Sequence, residues 1–266
     1  MTFSRILATA ALVTSLTWAA PAFALDLIGL TANNQLLLMT DTQPGSARSL
    51  DITGVDTKVL GIDIRPADLG LYAVTASGTI YTIDTKTGAA TRKSKISERL
   101  EAVDNLVVDF NPQADRLRVM ASNGQNLRVN VETGAAVIDG RLAYDKGDTH
   151  AGEEPGVLAG AYINSYKGTK YTQLFDVDSK NGMYVVQDPP NDGVLKTVGP
   201  TGLAKGTKIE AIDIFTDPKD EYHGFAAVGG ALYTFSVAKG AMSRVGKIAS
   251  PAGADVIDIA TPVVNR

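Results

Sequence analysis

Apolar residues along this chain come in short runs, rich in Val, Ile and Tyr, and bounded by Gly, Asn, Asp or Pro. Runs of that kind predict β-strands joined by tight turns. No segment sustains a helical period, and only residues 97–102 suggest a helical turn. Within the runs one phrase, apolar–Asp–apolar, returns at Ile62, Asp63, Ile64; Val108, Asp109, Phe110; Ile212, Asp213, Ile214; and Ile257, Asp258, Ile259. A proline follows each, at Pro66, Pro112, Pro218 and Pro262. The aspartates lie 46, 104 and 45 residues apart, so the middle gap holds two periods and one degenerate copy. A period of about 48 residues predicts an array of similar supersecondary units.

Each unit reads as four strands. In the second they fall at residues 59–64, 71–75, 79–83 and 90–96, and in the third at 106–110, 116–120, 126–131 and 135–138. Asn123 and Gly124 form a hairpin turn, because both tolerate positive φ. The degenerate fourth unit has strands at 157–163, 172–177, 183–187 and 194–198, lacks the aspartate, and follows a polar insert at 145–156. The fifth spans 209–248, with its third strand at 231–237. The first unit has strands at 27–30, 35–39 and 47–52 but no Asp-bearing strand, whereas an orphan Asp-bearing strand, 256–260, ends the chain. The expected fold is therefore an all-β, five-bladed propeller with four-stranded blades, closed by the C-terminal strand pairing with the N-terminal strands, which hides two sheet edges. An open sandwich, or a larger propeller with fewer strands per blade, is the alternative.

The first 24 residues read differently. Arg5, an apolar stretch over 6–18 and Ala22-Phe23-Ala24 have the form of a cleavable signal peptide. The apolar stretch is shorter than the ~20 residues a bilayer span needs. Residues 1–24 are thus expected to be a signal peptide, residues 25–266 a single propeller domain, and the protein periplasmic or secreted, with no membrane span after signal removal. Removal takes one arginine and no acid, leaving 24 basic against 29 acidic residues. That balance argues against nucleic acid as a partner. The chain has no cysteine, so neither disulfides nor thiol chemistry are available, and its one tryptophan, Trp18, lies in the leader.

Residues 61–68 (GIDIRPAD) with Leu71 and Tyr72, 109–112 (DFNP) with 115–119 (DRLRV), 124–130 (GQNLRVN) and 187–193 (QDPPNDG) give the chain a family likeness. It resembles the bacterial domain-of-unknown-function family 4394 from about Ile28 to Ala260. The resemblance implies an exported protein and supplies no catalytic residues.

In a propeller whose first strands are innermost, Asp63, Asp109, Asp213 and Asp258 ring the central channel. Their repetition favours a structural role, each carboxylate accepting backbone N–H bonds. Two carboxylates ~8 Å apart at an effective dielectric of ~20 repel by roughly 2 kcal/mol, so four call for protons, arginines or a cation. No cofactor is expected; if a cation takes part, calcium is the one such oxygens suit. Arg65 and Asn111 follow two of the aspartates by two residues. Arg116 and Arg118 share one side of their strand, and Arg128 shares a side of the next with Asn126 and Asn130. Hairpin register decides whether the two sets meet. Buried between blades they must be partnered, either as Asp–Arg ladders or as a polar pocket for an anionic or sugar-like ligand. Asp63, Arg65, Asp109, Asn111, Arg116, Arg118, Arg128, Asp213 and Asp258 are the candidate ligand-binding residues. The insert around His150, and the loop from Asp176, match no standard metal motif, and His223 has no histidine or cysteine nearby in its repeat.

Two functions follow. The first is a non-catalytic module that binds a small molecule or a protein through loops at one mouth of the ring. The alternative is a glycosidase- or lactonase-like hydrolase using channel carboxylates, which needs one acid and one base in unlike surroundings. Near-equivalent repeats and the loss of tryptophan with the leader favour binding.

Overall fold

The computed structural model describes residues 24–101 and 106–266. The expected signal peptide, apart from Ala24, lies outside the described residues. In chain order, β1 (Asp26–Thr31), β2 (Gln35–Thr40) and β3 (Arg48–Asp51) are three strands of blade 1. Blade 2 holds β4 (Val59–Ile64), β5 (Leu71–Thr75), β6 (Thr79–Ile83) and β7 (Ala90–Lys95). Blade 3 holds β8 (Leu106–Asn111), β9 (Arg116–Ala121), β10 (Asn126–Val129) and β11 (Ala136–Ile138). The short β12 (Ala143–Tyr144) precedes β13 (Val157–Tyr162), β14 (Leu174–Asp178), β15 (Met183–Gln187) and β16 (Val194–Pro200) of blade 4. Blade 5 holds β17 (Ile209–Thr216), β18 (Tyr222–Val228), β19 (Ala231–Phe235) and β20 (Met242–Lys247). Last comes β21 (Val256–Ala260), which joins blade 1.

The ring closes as the sequence predicts. β21 lies antiparallel beside β1, with Ile28 opposite Ala260 and Leu30 opposite Asp258. The innermost strands β4, β8, β13, β17 and β21 touch in succession and return to β4. Burial falls outward across a blade: β4 is buried along nearly its whole length, while β7 is mostly exposed. That gradient explains why inner strands read as continuous apolar runs, since both of their faces meet neighbouring blades.

The described buried apolar residues form five clusters, one between each pair of adjacent blades. Between blades 2 and 3, for example, Leu60, Tyr72 and Ile80 pack on Val108, Phe110 and Leu127. The turns between third and fourth strands make the outer contacts. Gly88 (φ 76) and Gly134 (φ 77) carry them: a Cβ there would lie 2.0 Å from the Asp51 carbonyl oxygen and 1.8 Å from that of Lys95. Only glycine meets both the left-handed backbone and the close approach.

Two expectations change. Residues 97–101 hold only isolated bends and no helical turn, and residue 102 of the expected turn lies outside the described residues. Blade 4 has five strands, because β12 pairs parallel to β16 on its outer edge. The insert is pinned there too: Asp148 accepts from Thr197 N (2.7 Å) and Thr197 Oγ1 (2.9 Å). It thereby covers an edge strand that would otherwise be open to pairing.

Deleting residues 256–266 removes the buried Val256, Ile257 and Ile259 side chains, together about 6 kcal/mol of apolar burial. That is comparable with the stability of a whole domain. The truncated chain is expected to lose its cooperative thermal transition, read by circular dichroism.

Candidate functional site

The channel carboxylates are built from the innermost strands upward, and each binds the next blade. Asp258 Oδ2 accepts from Ile62 N at 2.7 Å, linking blades 1 and 2. Asp63 Oδ2 accepts from Phe110 N at 2.6 Å, linking blades 2 and 3. Asp109 Oδ1 accepts from Tyr162 N at 3.0 Å, linking blades 3 and 4. Asp213 Oδ2 accepts from Thr261 N at 2.5 Å, linking blade 5 to the residue after β21. The second oxygens of Asp63, Asp213 and Asp258 accept from the following residue's own N–H. Blade 4 carries Ala161 on its inner strand, and the link to blade 5 reverses: Asn164 N donates to Thr216 Oγ1 at 3.0 Å.

These four side chains are buried. Burial pushes Asp63, Asp109 and Asp258 well above the usual carboxylate range, and neighbouring ring carboxylates add to it. Burial likewise raises Asp213, to about 6. Backbone N–H bonds oppose the shift in every case without cancelling it. Oxygens around one calcium, each at about 2.4 Å, lie no more than about 4.8 Å apart. No three of the ring carboxylates bring oxygens that close together.

The arginines go elsewhere, at two blade interfaces. Arg65 spans blades 2 and 3, donating through Nε and Nη2 to Asp115 (2.8 and 2.6 Å) and through Nη1 to Glu132 (2.6 Å) and Tyr72 Oη (3.0 Å). In blade 3 the register sets Arg118 opposite both Asp109 and Arg128, so the two arginine sets coincide. Two like charges side by side need a counter-ion, and Asp139 supplies it. Its Oδ2 accepts from Arg118 Nη1 (2.6 Å) and Arg128 Nε (2.7 Å), and its Oδ1 from Arg128 Nη2 (2.9 Å). Arg118, 1% exposed, also reaches Tyr162 Oη, Asn126 Oδ1 and Asn191 Oδ1. Asn111 caps its own turn, accepting from Gln113 N and Ala114 N, and Arg116 donates to the Ala114 and Asp115 carbonyls. The predicted residues thus separate into a channel ring, two interface networks and a loop.

Asp139 was not among the sequence candidates, because it lies in a connection after the last strand of its blade. Asp176 is a second omission. Its carboxyl stands over Gly160, where a Cβ would lie 2.2 Å from Oδ1, beside Val107 and Met120. Neither oxygen has a hydrogen-bond partner. Burial raises it to about 8, against the pull of Arg118.

At the mouth near the ring aspartates, the loops after the first strands of blades 2, 3 and 4 enclose a cleft of about 260 Å³. Pro66, Pro112, Asp115, Lys167, Thr169 and Lys170 are among its walls. Leu69 and Tyr171, on loops of the same mouth, and Tyr222, at the start of β18, are exposed.

Among solved structures, one titled "Crystal structure of Nidogen/Laminin Complex" matches 91% of this chain and 99% of its own, at 10% identity and a TM-score of 0.56. A structural genomics protein of unknown function from Bacteroides thetaiotaomicron matches 91% of this chain and 65% of its own, at 17% identity and a TM-score of 0.51. Both likenesses concern the fold. An auxiliary nutrient binding protein from the same organism covers 75% of this chain and 55% of its own, at 16% identity and a TM-score of 0.46. No curated protein matches the sequence. A family model described as "Domain of unknown function (DUF4394)" matches residues 35–260.

Two predictions follow from this geometry. Buried acids that hold protons more tightly folded than unfolded make folding take up protons. The unfolding free energy therefore falls as pH rises from about 4 through about 6 for Asp213 and about 8 for Asp176, by up to about 1.4 kcal/mol per pH unit for each group in its window. Urea unfolding at pH 5, 7 and 8.5 measures this, and Asp176→Asn is expected to flatten the alkaline part. Asp139→Ala strips Arg118 of its buried counter-ion and is expected to cost about 3–5 kcal/mol in the same assay.

Proposed function

The chain belongs to the DUF4394 family, and we propose that it is an exported binding module that takes its ligand at the cleft-bearing mouth of the ring. The observation that carries this reading is the employment of the ring carboxylates. All four accept backbone N–H groups of the neighbouring blade or of the segment that closes the ring. Each spends an oxygen on such a structural bond, whereas hydrolysis by paired carboxylates needs one free to act as acid and one as base or nucleophile.

The cleft, in contrast, is made of loops on a rigid scaffold, where binding residues concentrate. Its one acid, Asp115, is held by Arg65. Lys167 and Lys170 form no ion pair with an acid among the described residues. That leaves a positive balance beside exposed Leu69 and Tyr171, suited to a ligand that carries an acidic group on an apolar or sugar-like body. The nidogen/laminin complex is a case of a protein of similar fold in a protein complex.

Export belongs to the same reading. Leu25 N donates to Asp41 Oδ1 at 2.9 Å, so a chain cut after Ala24 keeps its first residue anchored. N-terminal sequencing of protein recovered from the periplasm or medium is expected to begin at Leu25.

Melting the mature chain with citrate, succinate and glucose 6-phosphate at millimolar concentration tests the cleft. At least one is expected to raise the melting temperature of the wild type and to lose that effect in the Lys167→Glu, Lys170→Glu double variant. Failure of all three, or shifts that survive the double variant, would remove the cleft from the account.

A further inference from the structure

The hairpin that joins β17 to β18 brings three metal-ligating side chains together. Asp217 N donates to the Glu221 carbonyl and closes the turn. Asp217 Oδ1 accepts from Lys219 N (2.8 Å) and Glu221 N (2.9 Å), which fixes its carboxylate and leaves Oδ2 turned to His223 Nε2 at 3.5 Å. His223 sits on β18 opposite Phe215, whose ring lies against the imidazole with centroids 5.9 Å apart. Ligand atoms of Asp217, Glu221 and His223 all lie within 4.8 Å of one another, the one such group among the described residues.

Three features separate this group from an ordinary solvated acidic turn. It contains an imidazole, the donor that borderline divalent cations prefer and calcium does not. The 3.5 Å from Asp217 Oδ2 to His223 Nε2 is close to the edge of a tetrahedron of ligands at ~2.1 Å, which is about 3.4 Å. Neither carboxylate has a lysine or arginine partner among the described residues. Arg266, the nearby cation, is engaged with Asp220 Oδ1 and the Asp217 carbonyl instead. Beyond the group lies a cavity of about 470 Å³ between blades 5 and 1, lined by Leu25, Asp41, Phe215, Asp217, His223 and Phe225. Two of the three ligating residues therefore stand in the wall of a space large enough for a small molecule.

We propose that Asp217, Glu221 and His223 bind a zinc-like divalent cation through one imidazole nitrogen and two carboxylate oxygens. A coordination position left to the cavity would take water or a donor atom of a small ligand, as in zinc sites with three protein ligands. The site is independent of the lysine-lined cleft, which is walled by blades 2 to 4.

The chain has two histidines, which makes the test specific. His150 has one carboxylate beside its ring, Glu153 at 3.3 Å, and belongs to no three-ligand group among the described residues. Isothermal titration of zinc into the mature chain, free of any polyhistidine tag, is expected to show one site. His150→Ala should keep it. His223→Ala and Glu221→Gln should each weaken it more than about tenfold, since even partners behind a ligand are worth 10–100-fold. Both positions are exposed, so the metal-free variants are expected to melt like the wild type, and zinc should raise the melting temperature only of chains that bind it. Absence of stoichiometric zinc binding in the wild type, or binding unchanged in both His223→Ala and Glu221→Gln, overturns the proposal.

Discussion

A carboxylate on one blade holding a backbone N–H of the next is the constraint on which this ring depends. Five sheets packed face to face share apolar slabs, and apolar contact alone fixes neither tilt nor height. A bond from Asp63 to Phe110 N, or from Asp258 to Ile62 N, does fix them, because it joins the innermost strands where all blades converge. Each such bond is buried, where a hydrogen bond is stronger than in water and an unpaired backbone N–H is costly. The bonds run in one sense round the ring, and Asp213 to Thr261 N brings the circuit to the closing strand. Burying carboxyl groups near one axis has an electrostatic cost, and their proton affinity, raised first by desolvation and then by the neighbouring carboxylates, is its expression.

Blade 4 shows what happens when the pattern lapses. With Ala161 in place of an aspartate, the link to blade 5 comes from Thr216 and Asn164 instead. An acid reappears one strand outward as Asp176, over Gly160, facing blade 3 rather than the channel. The same blade carries the extra strand β12 and the anchored insert. The irregular blade is therefore compensated locally, by a hydroxyl, a glycine and an added edge strand.

How much of this was legible follows from what each feature is made of. Strand count and closure were readable because apolar periodicity and the Asp phrase are properties of residue type. The targets of the aspartates were not, because a backbone N–H at Ile62 or Tyr162 has no signature in the sequence. The meeting of Arg118 with Arg128 hung on a hairpin register, and Asp139, which neutralises both, lies in a connection outside any repeat. His223 has no histidine or cysteine near it in the sequence; its ligating neighbours are carboxylates two and six positions earlier, a spacing that matches no standard metal motif. Function resides on loops and interfaces, where the repeat leaves residues free to differ.

Amide hydrogen exchange by NMR tests the central claim most directly. If cross-blade carboxylates hold the ring, the N–H groups of Ile62, Phe110, Tyr162 and Thr261 exchange only through global unfolding, as slowly as the slowest amides of β4 and β8. Should these four exchange at the faster rates of loop amides while the strands around them stay protected, the blades are held by apolar packing alone and the account is wrong.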